Sequence, residues 1–284
     1  MQPEAPALAA GRRHSVARRL DGTVLAVGND AAGECRVESW DAIVAVAVGN
    51  VHTANNTGRS HTIGLRADGS VLATGWNDDG QCDVLGWRDV IAVAAGWRRT
   101  LGLLDDGTVR AAGRRSEGQC DVTPWREIIG VSCGDWHSVA VRADGTALAV
   151  GANRRRQCAV EGWHDLAAVA AGYMHTLGLR YDGRVLATGA RTTGACDVDN
   201  WENVVQLDAG SYHSVAITAH GAALAAGDNS YGQCDVTGWE SIVAIAAGST
   251  HTLGLRVDGT VLSTGNNADG QCTTSAWTGV QVVR

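Results

Sequence analysis

The stretch "WESIVAIAAGSTHTLGLRVDGTVLSTGNNADGQC", residues 239–272, carries the pattern that decides the fold. Its "VAIAA" run is short and apolar and reads as a buried strand. "HTLGLR" alternates and reads as a second strand, and the Asp-Gly that follows is the strongest short hairpin signal. "TVLSTG" reads as a third strand, leading into a G-x-N-x-x-G-Q loop and a short fourth strand at the cysteine. The same unit recurs along the chain. Trp87, Trp125, Trp163, Trp201, Trp239 and Trp277 stand 38 residues apart, and Trp40 precedes Trp87 by 47, which is one period plus nine inserted residues. The cysteines Cys35, Cys82, Cys120, Cys158, Cys196, Cys234 and Cys272 keep the same steps. Seven units of four antiparallel strands predict an all-β, seven-bladed β-propeller over residues 1–284, with an inserted loop at about 50–58. No stretch holds a 3.6-residue period, which excludes a helical solenoid.

The unit V-x-A-V-A-A-G-x-x-H-T-L-G-L-R-x-D-G-x-V-L-x-x-G-x-N-x-x-G-Q resembles the repeat of the regulator of chromosome condensation family, as found in its bacterial-type members, and the resemblance covers essentially the whole chain. It implies a seven-bladed propeller, and it leaves the function open, since one fold carries many activities. Photoreceptors similar to this family have G-W-R-H-T motifs, which "GWRRT" at 96–100 matches once.

The chain of 284 residues has a net charge of −7, which argues against a general nucleic-acid binder. Every one of its 23 basic residues is arginine, a planar multidentate donor. No apolar run has the length that spans a bilayer, and "MQPEAPALAAGRRHS" lacks the order of a secretory signal, so the expected location is cytoplasmic. The eight cysteines form no C-x-x-C, and seven of them share one repeat position on different blades, too far apart to bridge. They are expected to be reduced and buried, and neither metal nor cofactor is expected.

His14, His61, His137, His175, His213 and His251 share one repeat position, with Arg99 in the seventh. They are expected to satisfy backbone groups where a strand begins, and the repeated tryptophans to wedge between blades. Function then belongs to residues that break the repeat. The G-x-x-H and G-x-N loops share one face, the loop face, and the Asp-Gly hairpins share the other. Trp76, Trp97, Trp136, Tyr173, Tyr212 and Tyr231 all map to the loop face and are expected to face solvent, a binding-surface composition. Arg12, Arg13, Arg59, Arg98, Arg99, Arg154, Arg155 and Arg156 lie there as well, with Met174 and Asp135; Arg156 replaces the loop glycine. The opposite face carries Asp21, Asp68, Asp105, Asp106, Asp144, Asp182 and Asp258.

Residues 49–62, "GNVHTANNTGRSHT", contain the G-x-x-H-T element twice. The extra copy is expected to project as a flap over the central channel, freeing His52, Asn55 and Asn56 from strand duty. The reading that follows is a recognition module whose loop face takes a protein or a small anionic ligand, as a monomer or weak homodimer. An alternative is a small-molecule enzyme of cyclase or lyase type, its pocket under the 50–58 loop, with His52 and Asp135 moving protons and Tyr173 and Tyr212 as walls. A second alternative is a self-associating, tryptophan-based photoreceptor-like propeller. At the chain ends, 277–284 and 2–9 compete for one strand position, and Val280–Val283 are expected to take it while residues 1–5 stay loose.

Overall fold

The computed structural model describes residues 6–52 and 59–282. It holds seven three-stranded antiparallel sheets in chain order. Blade 1 consists of Leu8–Ala10, His14–Arg18 and Val24–Gly28, and blade 2 of Ile43–Val48, His61–Arg66 and Val71–Gly75. Blade 3 consists of Val90–Gly96, Arg99–Leu104 and Val109–Gly113, and blade 4 of Ile128–Cys133, His137–Arg142 and Ala147–Gly151. Blade 5 consists of Leu166–Ala171, His175–Arg180 and Val185–Gly189. Blade 6 consists of Val204–Ala209, His213–Thr218 and Ala223–Gly227, and blade 7 of Ile242–Ala247, His251–Arg256 and Val261–Gly265. The first strand of each sheet packs on the first strand of the next, and blade 7 packs on blade 1, so the ring closes into a seven-bladed propeller with first strands at the axis. No helix among the described residues is long and apolar enough to cross a membrane.

The fourth strand expected at the cysteine does not form. That segment satisfies its backbone in turns: in blade 2, Asn77 Oδ1 accepts the Cys82 N–H, Gly80 O accepts from Asp83, and Val84 O accepts from Trp87. Groups paired this locally leave nothing to build a ladder. The turns still deliver each tryptophan to a blade interface. Trp87 is buried with Ile63 and Leu65 of blade 2 and Val90 and Val93 of blade 3. The ring lies so close to the middle strand that a Cβ on Gly102 would stand 2.7 Å from it, which is why the strand reads L-G-L at this point.

The seven repeated cysteines are free thiols. Each donates to the carbonyl six residues upstream, as Cys120 does to Arg114 O at 3.0 Å and Cys272 to Asn266 O at 3.3 Å. Burial pushes the Cys35 and Cys82 thiols up to about 12 and those of Cys120, Cys158, Cys234 and Cys272 to about 11. Since the thiolate is the nucleophile, a thiol reagent at pH 8 is expected to leave the folded chain almost untouched and to titrate eight groups after unfolding without reductant. Fewer than seven would contradict the free-thiol packing.

Ring closure is shared by the two ends of the chain. Leu8–Ala10 pairs with Ala17–Ser15, as Val46–Val48 pairs in blade 2, while Val280 bridges Arg19, the place Ile43 holds opposite Arg66. The Arg18 carbonyl accepts from Gln281 N–H at 3.0 Å, and the Arg18 guanidinium donates to Gln281 Oε1 at 2.6 Å. The expected competition is therefore a division: the C-terminal segment starts the strand and the N-terminal segment completes it, with Trp277 and Leu8 buried in one cluster. Residues 1–5 and Val283 lie outside the described residues.

The histidines bind the blades together. Each Nε2 meets the Ser or Thr hydroxyl of the next blade: His14 with Thr62 (2.9 Å), His61 with Thr100 (3.0 Å), His137 with Thr176 (2.7 Å) and His175 with Ser214 (3.0 Å). His213 with Thr252 (2.9 Å) and His251 with Ser15 (2.8 Å) continue the circuit. Every hydroxyl donates onward to a backbone carbonyl, as Thr252 does to Gln233 O, so each imidazole supplies the Nε2–H. The expectation of backbone partners is thus replaced by a side-chain belt. Burial lowers these histidines to about 3–4. Arg99 completes the belt, its Nε donating to Ser138 Oγ at 2.9 Å.

Candidate docking face at the axial mouth

The first residue after the glycine in each inner loop points toward the axis, and there the repeat breaks. Arg12 of blade 1 donates to His52 O at 3.2 Å. Ser249 of blade 7 donates to Asn50 Oδ1 at 2.7 Å and lies against the Val51 carbonyl, while Ser211 of blade 6 donates to Ser249 at 3.2 Å. Asp135 of blade 4 accepts the His52 N–H at 2.6 Å. Trp97 of blade 3 and Tyr173 of blade 5 flank the His52 ring, edge-on at 5.3 Å and stacked at 4.8 Å. Side chains from seven sheets of a ring can meet only at its axis. Residues 50–52, the described start of the inserted segment, therefore pack into the mouth: Val51 is 1% and His52 6% exposed.

Of the flap expected over the central channel, the described residues 50–52 turn into the mouth, and His52 is buried there rather than projecting. His52 is drawn inward because an aromatic box and a buried carboxylate offer its ring and amide more than solvent does. Its Nδ1 lies 3.2 Å from Asp135 Oδ2 without hydrogen-bond geometry, and Asp135 Oδ1 is buried with no hydrogen-bond partner. Burial, then the nearby Tyr212 and Asp135, raises the Tyr173 phenol above its ordinary value. As folded, the His52 imidazole is enclosed by Trp97, Trp136 and Tyr173. Asn55 and Asn56 lie outside the described residues.

Trp97 is likewise corrected, being 4% exposed rather than solvent-facing. It packs on Trp136 at 4.3 Å between ring centroids. Arg98 lies between Trp76 (4.4 Å) and Trp97 (4.5 Å), and Arg114 lies over Trp97 (5.1 Å) and Trp136 (5.7 Å), an alternating stack of rings and guanidinium planes. Arg99 is corrected too: it is fully buried and donates to the Gly134, Asp135 and His137 carbonyls, so it positions the Asp135 loop and cannot touch a partner. Trp76, Trp136, Tyr173, Met174 and Tyr212 remain partly exposed, and Tyr231 is 54% exposed.

Four loop-face arginines are paired: Arg13 with Asp269 (3.5 Å), Arg36 with Asp30 (3.6 Å), Arg98 with Asp79 (3.2 Å) and Arg114 with Glu117 (2.7 Å). Arg59, Arg154, Arg155 and Arg156 are exposed. On the opposite face the aspartates serve their hairpins. Asp21, Asp68, Asp106, Asp144 and Asp258 each accept from the N–H two residues on, and bonds from the Thr or Ser there hold these carboxyls below the ordinary range. The Ser and Thr of the His-[ST] dipeptide were legible in every repeat, and they are the partners that the reading of lone histidines missed.

The class is thus a seven-bladed propeller with Asn50, Val51 and His52 packed at its axial mouth on the loop face. The family model "Regulator of chromosome condensation (RCC1) repeat" matches residues 56–81, 90–119, 128–157, 204–233 and 242–271, just over half the chain, which belongs to that family. No curated protein matches it. Among solved structures it is similar to Prp20p from Saccharomyces cerevisiae, characterised for binding Gsp1p and histones, with 17% identity, TM-score 0.68, and 95% of this chain covering 84% of that one. It is also similar to the CRINKLY WD40 ectodomain of the Arabidopsis thaliana receptor kinase ACR4 (16%, TM-score 0.69, 91% of this chain and 96% of that chain). A third is yeast RCC1 (Prp20) bound to Kap60, with 17% identity, TM-score 0.59, and 97% of this chain covering 73% of that one.

Proposed function

We propose that this chain is a protein-recognition module and that its loop face receives the partner. One observation carries the reading: aromatic residues that break the repeat gather on this face, with Trp136, Tyr173 and Tyr212 partly exposed around the axial mouth. A rigid platform with partly buried aromatic anchors is the arrangement in which a few side chains supply most of the binding energy. Fold neighbours that bind proteins, among them Prp20p with Gsp1p and histones, agree with it. Proteins captured from source-cell lysate by the wild type are expected to be lost with Trp136→Ala combined with Tyr212→Ala, at unchanged melting temperature to within a few degrees. Retention of every captured protein would refute the reading.

A second reading, self-association, is favoured by the Trp76–Arg98–Trp97–Arg114–Trp136 stack. Both arginines are already paired within the chain, to Asp79 and Glu117, which leaves less for a second copy. Sedimentation over a hundredfold concentration range separates the two.

A further inference from the structure

The outer loops divide the loop face electrostatically. Those of blades 3, 4 and 5 carry Arg115, Arg154, Arg155, Arg156 and Arg191, all exposed and with no ion pair among the described residues. Those of the other four blades carry Asp228, Asp269, Asp30, and Asp78 with Asp79. Among the described outer loops of a chain of net charge −7, the arginines without an ion pair and with exposed side chains thus fall on an arc of three consecutive blades, apart from the Arg114–Glu117 pair in the blade 3 loop.

Arg156 is the informative member. At its repeat position Gly33, Gly80, Gly118, Gly194, Gly232 and Gly270 take φ between 75° and 84°, and Arg156 is held at 66°. A side chain in the left-handed region strains the backbone, and the strain persists only where the surroundings enforce it. They do: the Arg156 carbonyl accepts from Thr188 Oγ1 at 3.0 Å, as Gly33 O does from Thr74 at 2.9 Å and Gly232 O from Thr264 at 2.8 Å. The fold asks for glycine here, and the Arg156 guanidinium makes no hydrogen bond or ion pair among the described residues. The arc is also tied to the aromatic anchors. Ala152 N–H donates to Trp136 O at 3.0 Å and Ala190 N–H to Met174 O at 2.8 Å, so each arginine loop starts beside an inner loop.

Resting on the loop-face reading above, we propose that the arc formed by Arg115, Arg154, Arg155, Arg156 and Arg191 docks a short acidic segment of the partner protein, with Trp136 beside it. Guanidinium groups suit carboxylates through paired N–H donors. A short segment fits because Asp78 and Asp228 of the two flanking outer loops, in no ion pair among the described residues, would repel a polyanion that ran past the three blades. A nucleic-acid reader would need a broad basic surface, and the sequence pI is about 5.7.

The test uses a fluorescein-labelled deca-glutamate peptide, read by anisotropy on the full chain at low salt. Wild type is expected to bind it and to lose it as ionic strength rises, since exposed charges are screened within about 8 Å at 0.15 M. The triple variant Arg154→Gln, Arg155→Gln, Arg156→Gln should weaken binding about tenfold or more, from several exposed pairs lost together. Arg36→Gln, in a paired position on blade 1, should bind as wild type. Arg156→Gly should weaken binding while raising the melting temperature by about 2–4 °C, through relief of the strained backbone. The proposal is overturned if wild type does not bind the peptide, if the triple variant binds equally, or if decathymidylate binds more tightly through the same arginines. Failure here, with partner capture still lost on Trp136→Ala combined with Tyr212→Ala, would leave the loop-face reading standing and remove only the acidic segment.

Discussion

Acidification from pH 7 is expected to unfold the propeller cooperatively between about pH 6 and 4.5, beginning above the ordinary carboxylate range. The six belt histidines stay neutral in the fold down to about 3–4 because burial disfavours the charged ring. In the unfolded chain they take protons near 6.5. Below that value the unfolded state binds more protons, so stability falls as pH falls, by about 1.4 kcal/mol per pH unit for each ring. Six rings give about 8 kcal/mol per unit, against a net stability of about 5–15 kcal/mol for a typical fold. Asp208 works the other way, since burial raises it to about 6 and favours the fold at low pH, and burial raises Glu34 as well, but these are two groups against six. Tryptophan fluorescence against pH reads the transition. His137→Gln combined with His213→Gln keeps a neutral N–H donor at both places and should move the midpoint to lower pH. A native spectrum held to pH 4 would contradict the neutral belt.

Arg99→Ala is expected to cost roughly 3–5 kcal/mol, the range seen when one partner of a buried charged network is removed. The guanidinium is fully buried and serves Ser138 Oγ and three carbonyls of the Gly134–His137 loop. Truncation strands those acceptors and opens a cavity beside Cys133. Arg99→His restores the residue type of the other six repeats and the donor to Ser138, but not the hold on the loop, so its cost should be clearly smaller. Both variants should loosen Asp135 and with it His52, seen as faster amide exchange at His52 and a shifted Trp97 emission. Equal melting temperatures for Arg99→Ala and wild type would refute the role given to this residue.

Much of the fold was legible because the repeat states it seven times, and the strands, hairpins and tryptophan interfaces each have a local signature. The cysteine segment misled because its short apolar run resembles a strand, while its Asn and Gln side chains capture the backbone first. The belt was half legible: the histidines were seen, and their hydroxyl partners sit one residue on in the sequence but one blade away in space. For the site, position was readable and direction was not. Repeat phase assigned Trp97, Arg99 and His52 to the loop face, yet whether a side chain turns to solvent or to the axis depends on what the other blades present there. Arg99 looked like a free cation because its acceptors are backbone carbonyls, which carry no sequence signal. Arg156 was readable outright, since the glycine it replaces appears at the other six positions.

The loop face as the docking surface is tested most directly by pairing variants on the two faces against one captured partner. On the opposite face Leu20 and Val257 are 74% and 61% exposed, so Leu20→Ser with Val257→Ser alters that surface without touching the core. With the partner purified, calorimetric titration is expected to show binding lost on Trp136→Ala with Tyr212→Ala and unchanged on Leu20→Ser with Val257→Ser. Loss of binding in the hairpin-face pair, with the loop-face pair binding as wild type, would contradict the account.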